Sequence, residues 1–105
     1  MTKKRVVVTG LGLVSPTGNT VADAWENVRN GVSGISAIDT FDVSAFSTQF
    51  AGVIRNFDIG QYLEPKEARK CDPFIHYGVA ACEQAIADSG FSADSGDPTR
   101  VGVYM

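Results

Sequence analysis

The sequence predicts an α/β fold, and three features of the chain carry that prediction. Val6–Val8 form a β-branched run near the start, which is typical of a buried strand over residues 5–9. Two later segments, residues 20–30 and 74–89, repeat apolar residues at helical spacing. The last residues, Val101–Met105, again have the composition of a strand. Strand-like runs separated by helical patterns favour a sheet that is covered by helices.

The first helix has a predicted start and a predicted end. Asn19 or Thr20 is expected to cap it, with Asp23 three residues after Thr20 as in a capping box. Gly31 is expected to terminate it. Trp25 is expected to be its main core anchor, because the apolar positions follow the spacing i, i+3, i+4, i+7. Those positions are Val21, Ala24, Trp25 and Val28.

The middle of the chain has weaker patterns. Residues 32–48 have no sustained period and are expected to be irregular. Phe50–Ile54 is expected to be a short strand, followed by a turn over 56–60. Pro65 suits the first position of a short helix over residues 66–71.

A long helix and a terminal strand are both expected to need partners. Asp72 is expected to cap, and Pro73 to open, a helix over Phe74–Ser89 that Gly90 ends. This helix is apolar on two faces, and Val101–Met105 is an apolar run without a following turn. We therefore expect the chain to be the N-terminal portion of a longer protein.

The composition excludes several function classes. The formal net charge is −3, with 44% hydrophobic and 20% charged residues, so neither nucleic acid nor membrane is expected as a partner. Cys71, Cys82 and His76 match no zinc spacing and no disulfide framework. Lys3-Lys4-Arg5 precedes an apolar stretch that is too short and too interrupted for a signal peptide. A reduced cytoplasmic setting is the expectation.

The glycine-rich stretch RVVVTGLGLVSPTGN at residues 5–19 does not fit a nucleotide-binding loop. A dinucleotide loop reads G-x-G-x-x-G, and its third glycine position falls on Ser15. Pro16 follows at once and prevents the helical continuation that would present N–H groups to a pyrophosphate. Since G-K-[ST] is also absent, the glycines need another explanation.

Six ordered stretches of the chain carry a resemblance to a known family. They are RVVVTGLGLVSPTGN at 5–19, Trp25, GVSGI at 31–35, FAGVIRNFD at 50–58, RKCDPFIHYGVAACEQAIADSG at 69–90 and RVGVYM at 100–105. Together they resemble the start of the β-ketoacyl-acyl-carrier-protein synthases, best of all the type II enzymes of bacterial fatty-acid synthesis. In such enzymes the glycine-rich stretch is the first core strand and its turn, where glycines allow tight backbone packing.

The resemblance implies a thiolase-like layered α/β/α/β/α fold that usually dimerises. Residues 1–105 would be the N-terminal part of its first half, with no separate second domain. The implied reaction is a decarboxylative Claisen condensation between an acyl group on a cysteine and malonyl-acyl carrier protein. Two histidines stabilise the oxyanion, and no organic cofactor or metal is implied.

The resemblance also implies that the catalytic residues lie outside this chain. The nucleophilic cysteine, both histidines and a supporting lysine are expected beyond position 105, so the 105 residues alone are expected to be inactive. Cys82 lies mid-helix among alanines and Cys71 lies beside Asp72, so both are interpreted as packing residues. His76 is six residues from Cys82, nearly opposite on a helix, and is expected at the surface or an interface.

Lys66, Arg69 and Lys70 are the one candidate functional site within the chain. Their spacing i, i+3, i+4 places all three on one face of the short helix. Acyl carrier proteins are strongly acidic, and a cationic face would attract and orient them. The resemblance implies that these positions form part of the carrier-protein docking surface. The alternative is a solvated helix face with Glu67 pairing Lys70.

Two further hypotheses stay open at the level of sequence. The complete protein could be a polyketide ketosynthase, or a chain-length factor that keeps the fold and lacks the nucleophile. A hypothesis of another class makes the 105-residue chain a non-catalytic module that binds carrier protein. That module would have to fold cooperatively at this length.

Overall fold

The computed structural model describes residues 2–105. It contains three α-helices, one antiparallel strand pair and two 3₁₀ turns. In chain order these are α1 (Val21–Arg29), β1 (Ile35–Ala37), β2 (Phe50–Gly52), a 3₁₀ turn (Ile59–Gln61), α2 (Pro65–Ala68), α3 (Pro73–Ser89) and a second 3₁₀ turn (Pro98–Arg100). None of the helices formed by residues 2–105 combines the length and the hydropathy needed to span a bilayer.

The long helices begin and end where the local signals predict. At the start of α1 the Thr20 hydroxyl accepts a hydrogen bond of 3.2 Å from the Asp23 N–H, which confirms the expected cap. Pro73 occupies the first turn of α3. Gly90 ends this helix in the left-handed region at φ 68°, which an L side chain rarely adopts. Asp72 is the residue before α3, but its side chain makes no capping hydrogen bond.

A small hairpin interrupts the region expected to be irregular. β1 and β2 pair antiparallel, with Ile35 opposite Gly52. The prediction for 32–48 is therefore wrong at β1, because a strand of three residues is too short to show a period. Arg55 donates to both carboxylate oxygens of Asp39, at 3.1 and 3.2 Å, beside this hairpin. This hydrogen bonding and the guanidinium charge hold the pKa of the Asp39 carboxyl below its ordinary value.

The two terminal runs are not paired as strands in residues 2–105, so both strand predictions are wrong for the chain as described. Their composition suits a sheet, but strand formation requires a hydrogen-bonding neighbour. The segment that follows the first run, residues 10–13, lies along α3. The Leu11 N–H donates to the Asp88 carboxylate at 2.9 Å, and the Leu13 N–H donates to the Gln84 side-chain oxygen at 3.1 Å.

The spacing of these two contacts explains how an extended segment can lie along a helix. Two residues of extended chain span roughly 6.6 Å, and one helical turn spans about 5.4 Å. N–H groups at positions 11 and 13 can therefore reach side chains at 84 and 88. The extended segment places its glycines against the helix backbone. A Cβ at Gly12 would lie 2.7 Å from the Ala85 nitrogen and closer still to the Ala81 carbonyl oxygen. This contact confirms that Gly12 serves close backbone packing.

Residues 2–105 do not enclose a core of large side chains. Among them the buried apolar residues are Ala24, Ala68 and Ala80. Trp25, expected to be the main core anchor of α1, is 64% exposed, so that prediction is wrong for the chain as described. Phe74 of α3 is likewise 71% exposed. The buried residues are thus small, and several large side chains of the same helices, such as Val28 and Ile86, are exposed.

The dimensions of the chain agree with this open arrangement. The radius of gyration is 17.6 Å, whereas a closed domain of this length has about 13 Å. The accessible surface is 8649 Å², against about 5,700 Å² for a folded monomer of the same mass. Much of the excess is apolar, since Val6, Val8, Val103 and Tyr104 are exposed.

We predict that residues 1–105, produced alone, unfold without cooperativity. The exposed apolar faces leave too little buried area to offset the conformational entropy of ordering the chain. Thermal melting followed by circular dichroism should show a shallow, sloping transition, and the dye ANS should bind. A sharp two-state transition at this length would instead favour the self-contained module.

Candidate functional site

The basic cluster, Lys66, Arg69 and Lys70, lies on and directly after α2. It holds three of the nine Lys and Arg residues of the chain within five positions. Arg69 has φ −68° and ψ −18°, so helical geometry continues through it and keeps it on the side of Lys66. All three side chains are exposed. All three cations are thus exposed within about one helical turn of one another, and their common docking surface stays a prediction.

The three cations differ in their ion pairing. Lys70 pairs with Glu67, with 3.0 Å between Nζ and Oε1, and both side chains are more than half exposed. Within residues 2–105 neither Lys66 nor Arg69 forms an ion pair. An exposed pair of this kind contributes little stability, about 0–1 kcal/mol. Two of the three cations are thus free for an acidic partner, and Lys70 can exchange Glu67 for one.

Aromatic side chains support the chain that leads into α2. Phe57 and Tyr62 stack with ring centroids 6.1 Å apart. Phe57 also meets Tyr77 of α3 edge to face at 5.2 Å. The Tyr62 hydroxyl accepts a hydrogen bond of 3.1 Å from the Gln84 side-chain amide. These contacts attach the segment that precedes α2 to α3. The basic cluster therefore lies next to a segment that packs against α3.

Lys3-Lys4-Arg5 is the other basic group of the chain, and its setting differs. It lies in an exposed, unpaired segment without a helix to fix the relative directions of its side chains. It carries as many cations as the basic cluster, but not in a fixed arrangement. The basic cluster is therefore the better candidate for recognition of a partner.

The cysteines and the histidine do not form a nucleophilic or metal site. Cys71 and Cys82 are free thiols and half-buried. The His76 side chain is hydrogen-bonded to the Ala68 carbonyl oxygen at 2.8 Å. Within residues 2–105 there is no group of three or more metal-ligating side chains.

Cys82 lines an apolar cavity of about 630 Å³ beside α3, together with Phe74, Ile75, Val79, Glu83 and Met105.

Gln84 is a structural residue that the sequence analysis missed. Its oxygen accepts from Leu13, and its amide donates to the Asn19 carbonyl at 2.7 Å as well as to Tyr62. One side chain thus joins the N-terminal segment, the start of α1 and the chain before α2. The sequence does not single out Gln84, because the residue before it, Glu83, is also polar.

The sequence of this chain matches the model of one protein family along almost its whole length. The model described as "Beta-ketoacyl synthase, N-terminal domain" matches residues 3–105. The chain belongs to this family. Its mixed helix and strand content is accordingly the N-terminal part of a ketosynthase, thiolase-like fold, as the resemblance implies.

Curated ketosynthases match along nearly the whole chain. It is 50% identical over 105 residues to a 3-oxoacyl-[acyl-carrier-protein] synthase 2 of Vibrio cholerae. Proteins of the same name from Coxiella burnetii and Staphylococcus aureus are 45% identical over 105 residues and 39% identical over 102 residues. The chain spans 25% of the length of each of these relatives.

Solved ketosynthase structures have the same fold. The ishigamide ketosynthase/chain length factor superposes with a TM-score of 0.74 at 30% identity, over 84% of this chain and 22% of that chain. A second structure, AntDE:AntF, is a type II polyketide acyl-carrier protein in complex with its ketosynthase bound to the hexaketide. It superposes with a TM-score of 0.69 at 30% identity, over 98% of this chain and 27% of that chain.

Proposed function

We propose that the full-length protein is a chain-elongating 3-oxoacyl-acyl-carrier-protein synthase of fatty-acid biosynthesis. The observation that carries this proposal is the 50% identity, across all 105 residues, to the Vibrio cholerae protein of that name. The solved polyketide structures are 30% identical. The sequence is thus nearer to the fatty-acid relatives, and we infer that residues 1–105 are the N-terminal portion of the first half of the ketosynthase domain.

The proposed reaction joins two thioesters. An acyl group passes from the carrier-protein sulfur to a cysteine, and the carrier thiol is released. The carbon–carbon bond to the malonyl carboxylate then breaks, carbon dioxide leaves, and the electron pair forms a bond to the acyl carbonyl carbon. The cysteine thiolate departs as the 3-oxoacyl product forms on the carrier.

We assign the nucleophilic cysteine, the two histidines and the lysine to the part of the protein outside these 105 residues. Cys82 faces an apolar cavity and Cys71 lies beside Asp72. Neither is hydrogen-bonded to His76, the histidine of residues 2–105. A nucleophilic cysteine is activated by a base held at its thiol, so neither cysteine is assigned that role.

The contribution of residues 1–105 is the docking of acyl carrier protein through Lys66, Arg69 and Lys70. Support comes from their exposure, their spacing of i, i+3, i+4 and the absence of ion-pair partners for two of them within residues 2–105. Acidic partners are attracted and oriented by such a surface, which acts mainly on the association rate. A ketosynthase complexed with an acyl-carrier protein is among the structures with the same fold.

A polyketide ketosynthase or a chain-length factor is the second candidate. It is favoured by the superposition on the ishigamide ketosynthase/chain length factor. Other features of the proposed enzyme are a homodimeric state, a cytoplasmic location and a reaction without an organic cofactor.

The experiment that tests the function uses the full-length protein with acyl-acyl carrier protein and malonyl-acyl carrier protein. We expect carbon dioxide release and a 3-oxoacyl product two carbons longer than the acyl substrate. An unloaded carrier protein is the control for background decarboxylation. A protein that binds both carriers but forms no product would be a chain-length factor, and a product extended by several units would indicate the polyketide enzyme.

A further inference from the structure

One side-chain hydrogen bond joins the end of α2 directly to α3. His76 lies in the first turn of α3, and its Nε2 is 2.8 Å from the Ala68 carbonyl oxygen. A carbonyl oxygen can only accept, so Nε2 carries the hydrogen and donates it. Ala68 is the last residue of α2, and Arg69 and Lys70 follow it directly. The bond therefore holds the peptide group from which the chain continues into two members of the cluster.

α2 is too short to fix by itself the directions of the side chains that follow it. It has four residues, and helices this short are unstable in isolation because nucleation fixes several residues for one hydrogen bond. Its last carbonyls have no partner within the helix. The Ala68 oxygen receives two donors, the Cys71 N–H at 3.2 Å and the His76 ring. The Cys71 N–H belongs to the turn that directly follows Ala68. The His76 ring is therefore the donor that joins this oxygen to another element, α3.

We propose that His76 is a positioning residue for carrier-protein docking, acting through the Ala68 carbonyl to fix the directions of Arg69 and Lys70. This role rests on the proposed function of the basic cluster. Without the bond, the turn over residues 69–71 keeps its cations and its covalent link to α3 through Asp72, but the peptide group between Ala68 and Arg69 loses its hydrogen bond to α3. The partner then has to order these side chains during binding, which weakens its affinity.

Two substitutions separate the hydrogen bond from packing. His76→Phe keeps a planar ring of similar size and removes the donor. His76→Gln places an amide nitrogen the same number of bonds from the backbone and keeps a donor. Asn27→Leu is the matched control, because it removes the hydrogen bond of 2.6 Å that Asn27 of α1 donates to the Thr17 carbonyl, away from the basic cluster.

The experiment measures the dissociation constant of acyl-loaded acyl carrier protein for the full-length protein and each variant, with the folded fraction checked by thermal melting. We expect H76F to bind about three- to tenfold more weakly, and H76Q and N27L to bind like the wild type. In a background of Arg69→Ala and Lys70→Ala, H76F should cause little further loss. Amide hydrogen exchange of residues 69–71 should become faster in H76F, but not in H76Q or N27L.

Each other outcome overturns the proposal in an identifiable way. Unchanged carrier binding by H76F removes the positioning role and leaves docking intact. Equal losses in H76F and N27L mean that general stability is responsible. A full additional loss by H76F in the double-alanine background means that His76 does not act through Arg69 and Lys70. A wild-type protein that does not bind carrier protein refutes docking itself, and the positioning role with it.

Discussion

Reversing the three charges of the basic cluster, with Lys66→Glu, Arg69→Glu and Lys70→Glu, is expected to weaken carrier-protein binding about 100-fold at low salt. Each substitution removes an attraction and adds a repulsion toward an acidic partner. Most of the loss should appear in the association rate, because exposed charges act mainly during encounter. Surface plasmon resonance with immobilised acyl carrier protein measures both rates. Raising the salt to 0.5 M should shrink the difference between wild type and variant.

The chain contains a control with the same change in net charge. Lys3→Glu, Lys4→Glu and Arg5→Glu also reverse three exposed cations, but in the unpaired segment before α1. This control should bind carrier protein within about threefold of the wild type. If both triple variants lose binding equally, the attraction depends on net charge, and α2 is not the docking surface.

Replacing Gly12 by valine is expected to destabilise the full-length protein by about 3 kcal/mol or more. The new Cβ would lie 2.7 Å from the Ala85 nitrogen, and the atoms it meets belong to the α3 backbone, which cannot rotate away as a side chain can. The N-terminal segment would have to separate from α3, with loss of the hydrogen bonds that Leu11 and Leu13 donate. Chemical denaturation followed by tryptophan fluorescence measures the effect.

Gly96→Val is the matched control for this substitution. A Cβ at Gly96 meets nothing within 4 Å among the described residues, and its backbone is not in the left-handed region. Its stability should remain within about 0.5 kcal/mol of the wild type. Similar losses of stability at both positions would mean that replacing glycine by valine destabilises the protein regardless of its contacts. Close packing at Gly12 would then not be the cause.

Local signals in the sequence predict the helices and the strand that begins at Phe50, whereas the two terminal strand predictions are wrong for the chain as described. The Thr20 cap, Pro73 and Gly90 act within a few residues of their own position, so they can be identified from the chain alone. The strand-like runs at Val6–Val8 and Val101–Met105 need a hydrogen-bonding neighbour from elsewhere, and residues 2–105 supply none. The exposure of Trp25 has a similar cause. Its helical spacing indicates an apolar face, but the spacing does not show which element would cover that face.

The basic cluster shows which part of a site can be predicted from spacing. The spacing i, i+3, i+4 predicts that Lys66, Arg69 and Lys70 share a surface, although α2 itself ends at Ala68. The attachment of that surface could not be predicted in this way. The bond from His76 to Ala68 crosses the break between α2 and α3, so no helical period relates the two residues. Gln84 likewise acts on segments 22 to 71 residues away along the chain.

The most direct test of the account compares two acyl substrates for the full-length protein, one on acyl carrier protein and one on a small soluble thioester with the same acyl chain. The wild type and the triple charge-reversal variant of the basic cluster are assayed with both. We expect the variant to lose about 100-fold in kcat/KM with the carrier-bound substrate and to keep the wild-type value with the small thioester. Equal losses with both substrates would contradict a docking role, and absence of condensation by the wild type would contradict the proposed function.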